Sequence, residues 1–227
     1  KVDSVMGRSP SLCCDLSKNV VGLEKSSVIP SDLGSTAHAS DFVFNTTHDK
    51  LSNWTTAFSR KFYEDNGFFL KKGGLEICRM GDHDRWEELK RKVGSGKAFG
   101  TNVSLISASE AKEKFPLLDE DSIMGAMWDP DAGLVVPRSQ DVVSFAVDHA
   151  KKKGSLKSLT NTPAIGFEIE NDRIVAVRTD KGTIKTNKVV VASGIWGPLI
   201  GDMAGVPIPL SPLEHPLLFF GPLPEIQ

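Results

Sequence analysis

Two short apolar runs near opposite ends of the chain constrain its fold most. Asn19-Val-Val-Gly-Leu-Glu24 and Lys188-Val-Val-Val-Ala-Ser-Gly194 each read as a strand covered on both faces, because a continuous apolar run marks a doubly buried parallel strand. The first closes on an acid and the second on small residues. Placed side by side in one parallel sheet, they turn everything between them into an insertion. That intervening stretch alternates helices with strands and contains a meander. The expected class is therefore mixed α/β, a parallel sheet split by an inserted portion with helices and a β-meander. The sheet domain is expected from residues 1–45 with 155–205, and the inserted domain from 46–154 with 206–227.

Periodicity fills in the elements. Leu51, Trp54, Phe58 and Phe62 recur at helical spacing, as do Trp86, Leu89 and Val93 in a second helix from His83 that Gly94 should close. Phe68-Phe69-Leu70 and Gly73-Gly-Leu-Glu-Ile-Cys78 look like paired strands with a glycine-marked bend. Ser107-Ala-Ser-Glu110 has the form of a capping box, so a short helix should run to about Phe115 and stop at Pro116. Gly125 to Pro137 reads as loop. Residues 138–153 read as a helix with Val142, Phe145, Ala146 and His149 inward, ended by three lysines and Gly154. Strands around 164–169, 174–179 and 183–186 form the meander, with turns at Asn171-Asp172 and Asp180-Lys181-Gly182.

Charge and composition exclude several classes. The 227 residues carry 27 Lys plus Arg against 29 Asp plus Glu, a formal net charge of −2, so no basic surplus is present to neutralise nucleic-acid phosphates. Nothing approaches the ~18 consecutive apolar residues of a membrane helix. Three Cys, two of them the adjacent Cys13 and Cys14, form neither a disulfide framework nor a metal clamp. The sequons at Asn45, Asn53 and Asn102 read as chance. The expectation is a soluble protein of a reducing compartment, the cytoplasm by default.

Candidate chemistry gathers around the two apolar runs. An acid ending a nucleotide-type strand, as Glu24 does, hydrogen-bonds adenosine ribose hydroxyls, or is simply solvated. The glycine fingerprint expected roughly 20 residues upstream is absent, with Gly7 alone there. Gly34-Ser35-Thr36-Ala37-His38 puts small residues and hydroxyls in the following loop, where backbone N–H groups can approach a pyrophosphate, or where the chain merely turns. His38 is either ligand-facing or a polar loop residue, and no second ligand at metal spacing supports zinc. Gly194 and Trp196 end the last run, where a nucleotide could lie against the backbone or a helix could pack tightly. His215, set between Glu214 and Pro216, is a lone histidine in a rigid apolar stretch.

Taken in order, Gly34-Ser-Thr-Ala-His-Ala39, Gly73-Gly-Leu-Glu76, Pro116-Leu-Leu-Asp119, Asp131-Ala-Gly-Leu134, Thr179-Asp-Lys-Gly182, Val189-Val-Val-Ala-Ser-Gly-Ile-Trp-Gly197 and Ile208-Pro-Leu-Ser-Pro-Leu-Glu-His215 form a set. It resembles the dimethylglycine oxidase, dimethylglycine dehydrogenase and sarcosine dehydrogenase family of FAD oxidoreductases, over about residues 19–220. The resemblance implies a Rossmann-like sheet with FAD as cofactor, held covalently through His38, with Ser35, Thr36 and Ala37 along its phosphates and ribityl chain. It implies Glu24 and Lys25 at the adenosine ribose, Ala164 at the adenine and His215 beside the substrate. The implied reaction is oxidation of an N-methyl amine by hydride transfer to the flavin, with oxygen or an electron-transfer flavoprotein as acceptor and folate use in a full-length relative. The alternative is an inactive fragment of such a flavoprotein, serving at most as a binding or structural module. The animal members of the family imply the mitochondrial matrix as the alternative compartment.

Overall fold

A computed structural model describes residues 20–214, 216, 218, 221, 223 and 224. In chain order the elements are β1 (Val20–Leu23), β2 (Phe42–Val43), α1 (Lys50–Asp65), β3 (Phe69–Lys71), β4 (Gly74–Arg79), α2 (His83–Ala98), β5 (Ser104–Ile106) and α3 (Ala108–Lys114). There follow β6 (Ile123–Asp129), β7 (Gly133–Val135), α4 (Ser139–Lys152), β8 (Leu156–Leu159), β9 (Ala164–Glu170), β10 (Arg173–Thr179), β11 (Gly182–Lys185) and α5 (Gly197–Met203). The architecture is mixed α/β, with small sheets. Among the described residues, those up to 39 join those from 139 to 216 in one compact unit, while 40–138 and the residues from 218 on form a second.

In the first unit, β1 pairs in parallel with β8, Val20 opposite Leu156 and Leu23 opposite Leu159. The crossover helix α4 precedes β8 and buries Val142, Ala146 and Ala150. Gly154 sits at φ +71°, where only a residue without Cβ is unstrained, and its N–H donates to Lys151 O at 2.9 Å, which turns the chain out of the helix. The meander forms as expected: β9 and β11 flank β10 in an antiparallel sheet. Its first turn places both Asn171 and Asp172 at positive φ, the geometry whose twist suits a two-residue hairpin.

One expectation fails here. The run 188–194 is not a strand and does not lie beside β1; β8 takes that place. Among the described residues no strand pairs with Val189–Val191, and Val190 is 74% exposed. An apolar run is only a strand where a neighbouring ladder receives its N–H and C=O groups. β1, paired among the described residues with β8 alone, is half-exposed. Conversely, Leu156-Lys-Ser-Leu159 has no apolar pattern, yet its position after α4 makes it the parallel partner.

The second unit holds two three-stranded antiparallel sheets, β2-β7-β3 and β4-β6-β5. The stretch read as loop from Gly125 is the centre of both: β6 lies between β4 and β5, and β7 between β2 and β3. α2 covers one face of the β6 sheet through Leu89 and Val93, against Cys78, Val103 and Met127. A second cluster joins Ala111 of α3 to Ile123 and Ala126. A register shift opposite Cys78 and Arg79 places an extra residue on β6, so Ile123 and Ala126 share a cluster despite odd spacing.

Further differences have local causes. β3 and β4 do not pair with each other; the chain bends at Gly73-Gly74 from one sheet to the other. Gly73 has φ +78°, and a Cβ there would overlap the Trp128 ring. Gly94 does not stop α2, which runs to Ala98 and caps at Phe99. On α1, Leu51 is 68% and Trp54 52% exposed while Asn53 is buried, so the first half of that apolar stripe faces outward, and Phe58 and Phe62 are half-buried. Phe145 of α4 is likewise exposed. The capping box at Ser107 and Glu110 is present as read.

Candidate functional site

Nine of the ten candidate residues fall in the first unit, and His215 lies outside the described residues. Glu24 follows β1 directly. Its backbone N–H donates to Leu159 O at 2.9 Å, and its carbonyl accepts from Thr162 N–H at 2.9 Å, so the end of β8 fixes it on two sides. Its carboxylate accepts the N–H of Ser26 through Oε1 at 2.8 Å. That leaves Oε2 without a partner among the described residues. Lys25 is exposed beside it. Ser26 is fixed in turn, its carbonyl accepting from Asn161 N–H at 2.9 Å and its hydroxyl lying 2.8 Å from that of Ser31. Residues 160–162, which hold this corner, carry no motif and were not expected; their only signal is adjacency to the parallel partner of β1.

Gly34 to Ala39 is a tight turn. Ala37 N–H donates to Gly34 O at 3.1 Å, His38 N–H to Ser35 O at 3.2 Å, and Ala39 N–H to Thr36 O at 3.4 Å. Ser35 and His38 are exposed, Thr36 and Ala37 half-buried. The turn spends the later N–H groups on its own carbonyls and leaves those of Ser35 and Thr36 without a partner among the described residues. Small side chains at its start keep the backbone open to an anion.

Ala164 opens β9, paired with Thr179 of β10. Gly194, at φ +55°, and Trp196 form a turn of 3-10 helix leading into α5 rather than a strand end. Ser193 beside them has a buried hydroxyl with no hydrogen-bond partner, a polar atom that a bound group would satisfy. Trp196 is partly exposed. A carboxylate with a spare oxygen, a small-residue turn with spare N–H groups and an orphaned hydroxyl fit a dinucleotide such as FAD. Among the described residues no cluster of His, Cys, Asp or Glu suits a metal ion, and no helix is long and apolar enough to cross a membrane.

Residues 13–227 match the family model described as FAD dependent oxidoreductase, and the chain belongs to that family. It is 29% identical over 173 residues to the mitochondrial sarcosine dehydrogenase of Homo sapiens, covering 73% of this chain and 18% of that one. It is 25% identical over 220 residues to the mitochondrial dimethylglycine dehydrogenase of Rattus norvegicus, covering 92% of this chain and 24% of that one. The chain thus spans about a fifth to a quarter of the length of these relatives. Among solved structures, the L-proline dehydrogenase from P. horikoshii is 33% identical with a TM-score of 0.73, over 87% of this chain and 53% of that one.

Proposed function

We propose that this chain binds FAD and serves in the oxidation of an N-methyl amine such as dimethylglycine or sarcosine. The observation that carries the reading is the corner at Glu24, whose backbone is tied to β8 while one carboxylate oxygen stays available. A carboxylate held this way accepts two ribose hydroxyls at a defined position. The named substrates of the three relatives, sarcosine, dimethylglycine and L-proline, are all α-amino acids alkylated on nitrogen, which supports an N-alkyl amino acid as the substrate class.

In this reading Glu24 and Lys25 hold the adenosine ribose. Ser35, Thr36 and Ala37 lie along the phosphates, and Ala164 meets the adenine through its backbone. Gly194 lets the cofactor lie close and Trp196 shields it. The exposed His38 imidazole is the covalent anchor, and His215 serves the substrate pocket. The chemistry that FAD supplies when bound is acceptance of a hydride from the N-methyl carbon. The part left to the chain is orientation: a methyl group held in line reacts far faster than one that must find its position.

The visible spectrum of the purified chain, taken before and after acid precipitation, tests this. Flavin absorbance that stays with the pellet, is lost in His38→Ala, and bleaches on adding sarcosine or dimethylglycine is the expected result. A protein that takes up no flavin when refolded with FAD overturns the reading and leaves a binding or structural module.

A further inference from the structure

The first unit contains a half-open cavity of about 660 Å3, within the size range of small-molecule sites. Its position is set by backbone bonding. Ile169 and Ile174 are cross-strand partners on β9 and β10, brought opposite each other by the tight turn at Asn171-Asp172. Thr186 N–H donates to Val175 O at 3.0 Å, and the Thr186 hydroxyl donates to Lys188 O at 2.9 Å; together they pin the chain after β11 along the meander. At the end of α5, Gly205 at φ +69° allows Val206 N–H to donate back to Gly201 O at 2.9 Å, which turns Val206 into the wall.

The lining divides by chemistry. Ile169, Ile174, Val189 and Val206 give an apolar floor, and two of them are left uncovered, Ile169 at 45% and Val206 at 57% exposure. Arg173, Lys188 and Asn187 stand on the polar side with Asp172, a surplus of one positive charge. The Arg173 side chain has no hydrogen-bond or ion-pair partner among the described residues. A guanidinium without a partner beside uncovered apolar surface is matched by a carboxylate on an apolar body, because its planar fork pairs both carboxylate oxygens at once. Asp172 and the negative end of α5 at the same mouth disfavour a multiply charged anion such as a phosphate ester.

We propose that this cavity binds a small amphipathic carboxylate, with its carboxylate on Arg173 and its apolar body against Ile169, Ile174 and Val206. None of its lining residues is among the candidate cofactor residues, and the proposal does not rest on their assignment.

Decanoate, kept below its micelle concentration, is the probe, and the backbone amide signals of the nitrogen-15-labelled full chain are the readout. Saturable shifts confined to residues such as Ile174, Lys188, Gly205 and Val206 are expected. Arg173→Gln should raise Kd about tenfold, the equivalent of roughly 1.4 kcal/mol. Decanol, with the same tail and no carboxylate, should bind wild type about as weakly as decanoate binds the variant. Arg173 is exposed at a hairpin tip, and unchanged signals elsewhere report that the variant is folded. Shifts that never saturate and scatter over exposed apolar residues such as Trp54 would mean surface adsorption and overturn the proposal. Equal decanoate affinity in Arg173→Gln would overturn it too.

Discussion

Asp129 accepts the backbone N–H of Thr46 at 2.9 Å across 83 residues of sequence. The same Oδ2 accepts Asn45 N–H at 2.9 Å, and Oδ1 accepts Asp131 N–H at 3.1 Å. Asp129 is fully buried, so this one carboxylate satisfies three donors and joins the chain after β2 to the end of β6. Asp129→Ala leaves those donors unpaired, at a cost of about 3 kcal/mol. Urea unfolding of the variant should show a clearly lowered midpoint; an unchanged midpoint would mean water replaces the carboxylate without penalty.

Glu24→Gln keeps the shape of the corner and removes the charge. If Glu24 holds the ribose, FAD affinity should fall by roughly one to two orders of magnitude, the weight of one or two charge-assisted hydrogen bonds. Equilibrium dialysis against FAD measures this. Retained affinity moves the ribose elsewhere.

Glu76 lies between two cations: its Oε2 is 2.5 Å from the Lys92 ammonium, and its Oε1 pairs with the Arg85 guanidinium. Lys92 is buried and also sits 5.5 Å from the centre of the Phe44 ring. Glu76→Gln strands the buried ammonium and should cost roughly 3 kcal/mol. Lys92→Met should cost much less, because Arg85 still pairs with Glu76. Thermal unfolding of the two variants side by side checks the order, and a reversed order rejects the account.

The Glu110 carboxyl is held below its ordinary value of 4.5 by the backbone N–H and then the hydroxyl of Ser107. A depressed carboxyl contributes stability above its unfolded value and loses it as pH falls through the folded one. Glu110→Gln, which keeps the shape and cannot ionise, should therefore lower Tm at pH 7 and narrow its gap to wild type progressively below pH 4.5. A gap that is constant down to pH 2 would show that the cap acts without the charge.

Gly73→Ala forces a Cβ into the Trp128 ring from a left-handed backbone. Overpacking of this kind costs about 1–3 kcal/mol, and a shifted tryptophan emission should accompany the loss of stability. Wild-type emission and Tm together would contradict the close approach.

Local signals were legible where a residue acts on its own neighbours. Ser107 and Glu110 cap each other over three positions, and the Asn171-Asp172 turn is written in two residues. What depended on distant partners was not. Gly125 to Pro137 looked like loop because Trp128, Pro130, Asp131 and Gly133 punctuate it; the strand Ile123–Asp129 exists because β4 and β5 close on it from both sides. Leu51 and Trp54 had helical spacing, but spacing cannot say which face meets a core. At the candidate site, Glu24 and the 34–38 turn stood out by residue type, whereas the backbone bonds from 159–162 that fix Glu24 left no trace in composition. Val189–Val191 read as strand from apolarity alone, and apolarity does not supply the neighbour that a strand requires.

The second unit enters and leaves through adjacent threads: β2 pairs with β7, Val135 N–H donates to Asp41 O at 2.7 Å, and Arg138 is ion-paired to Asp41. Once that unit has formed, its two ends are neighbours. The search that brings Leu156 alongside Val20 then no longer ranges over the whole intervening chain, because the folded insert closes most of that contour in advance. The entropy of closing a loop depends on the length still free, so forming the inner unit first would convert a pairing of high sequence separation into one of modest kinetic difficulty.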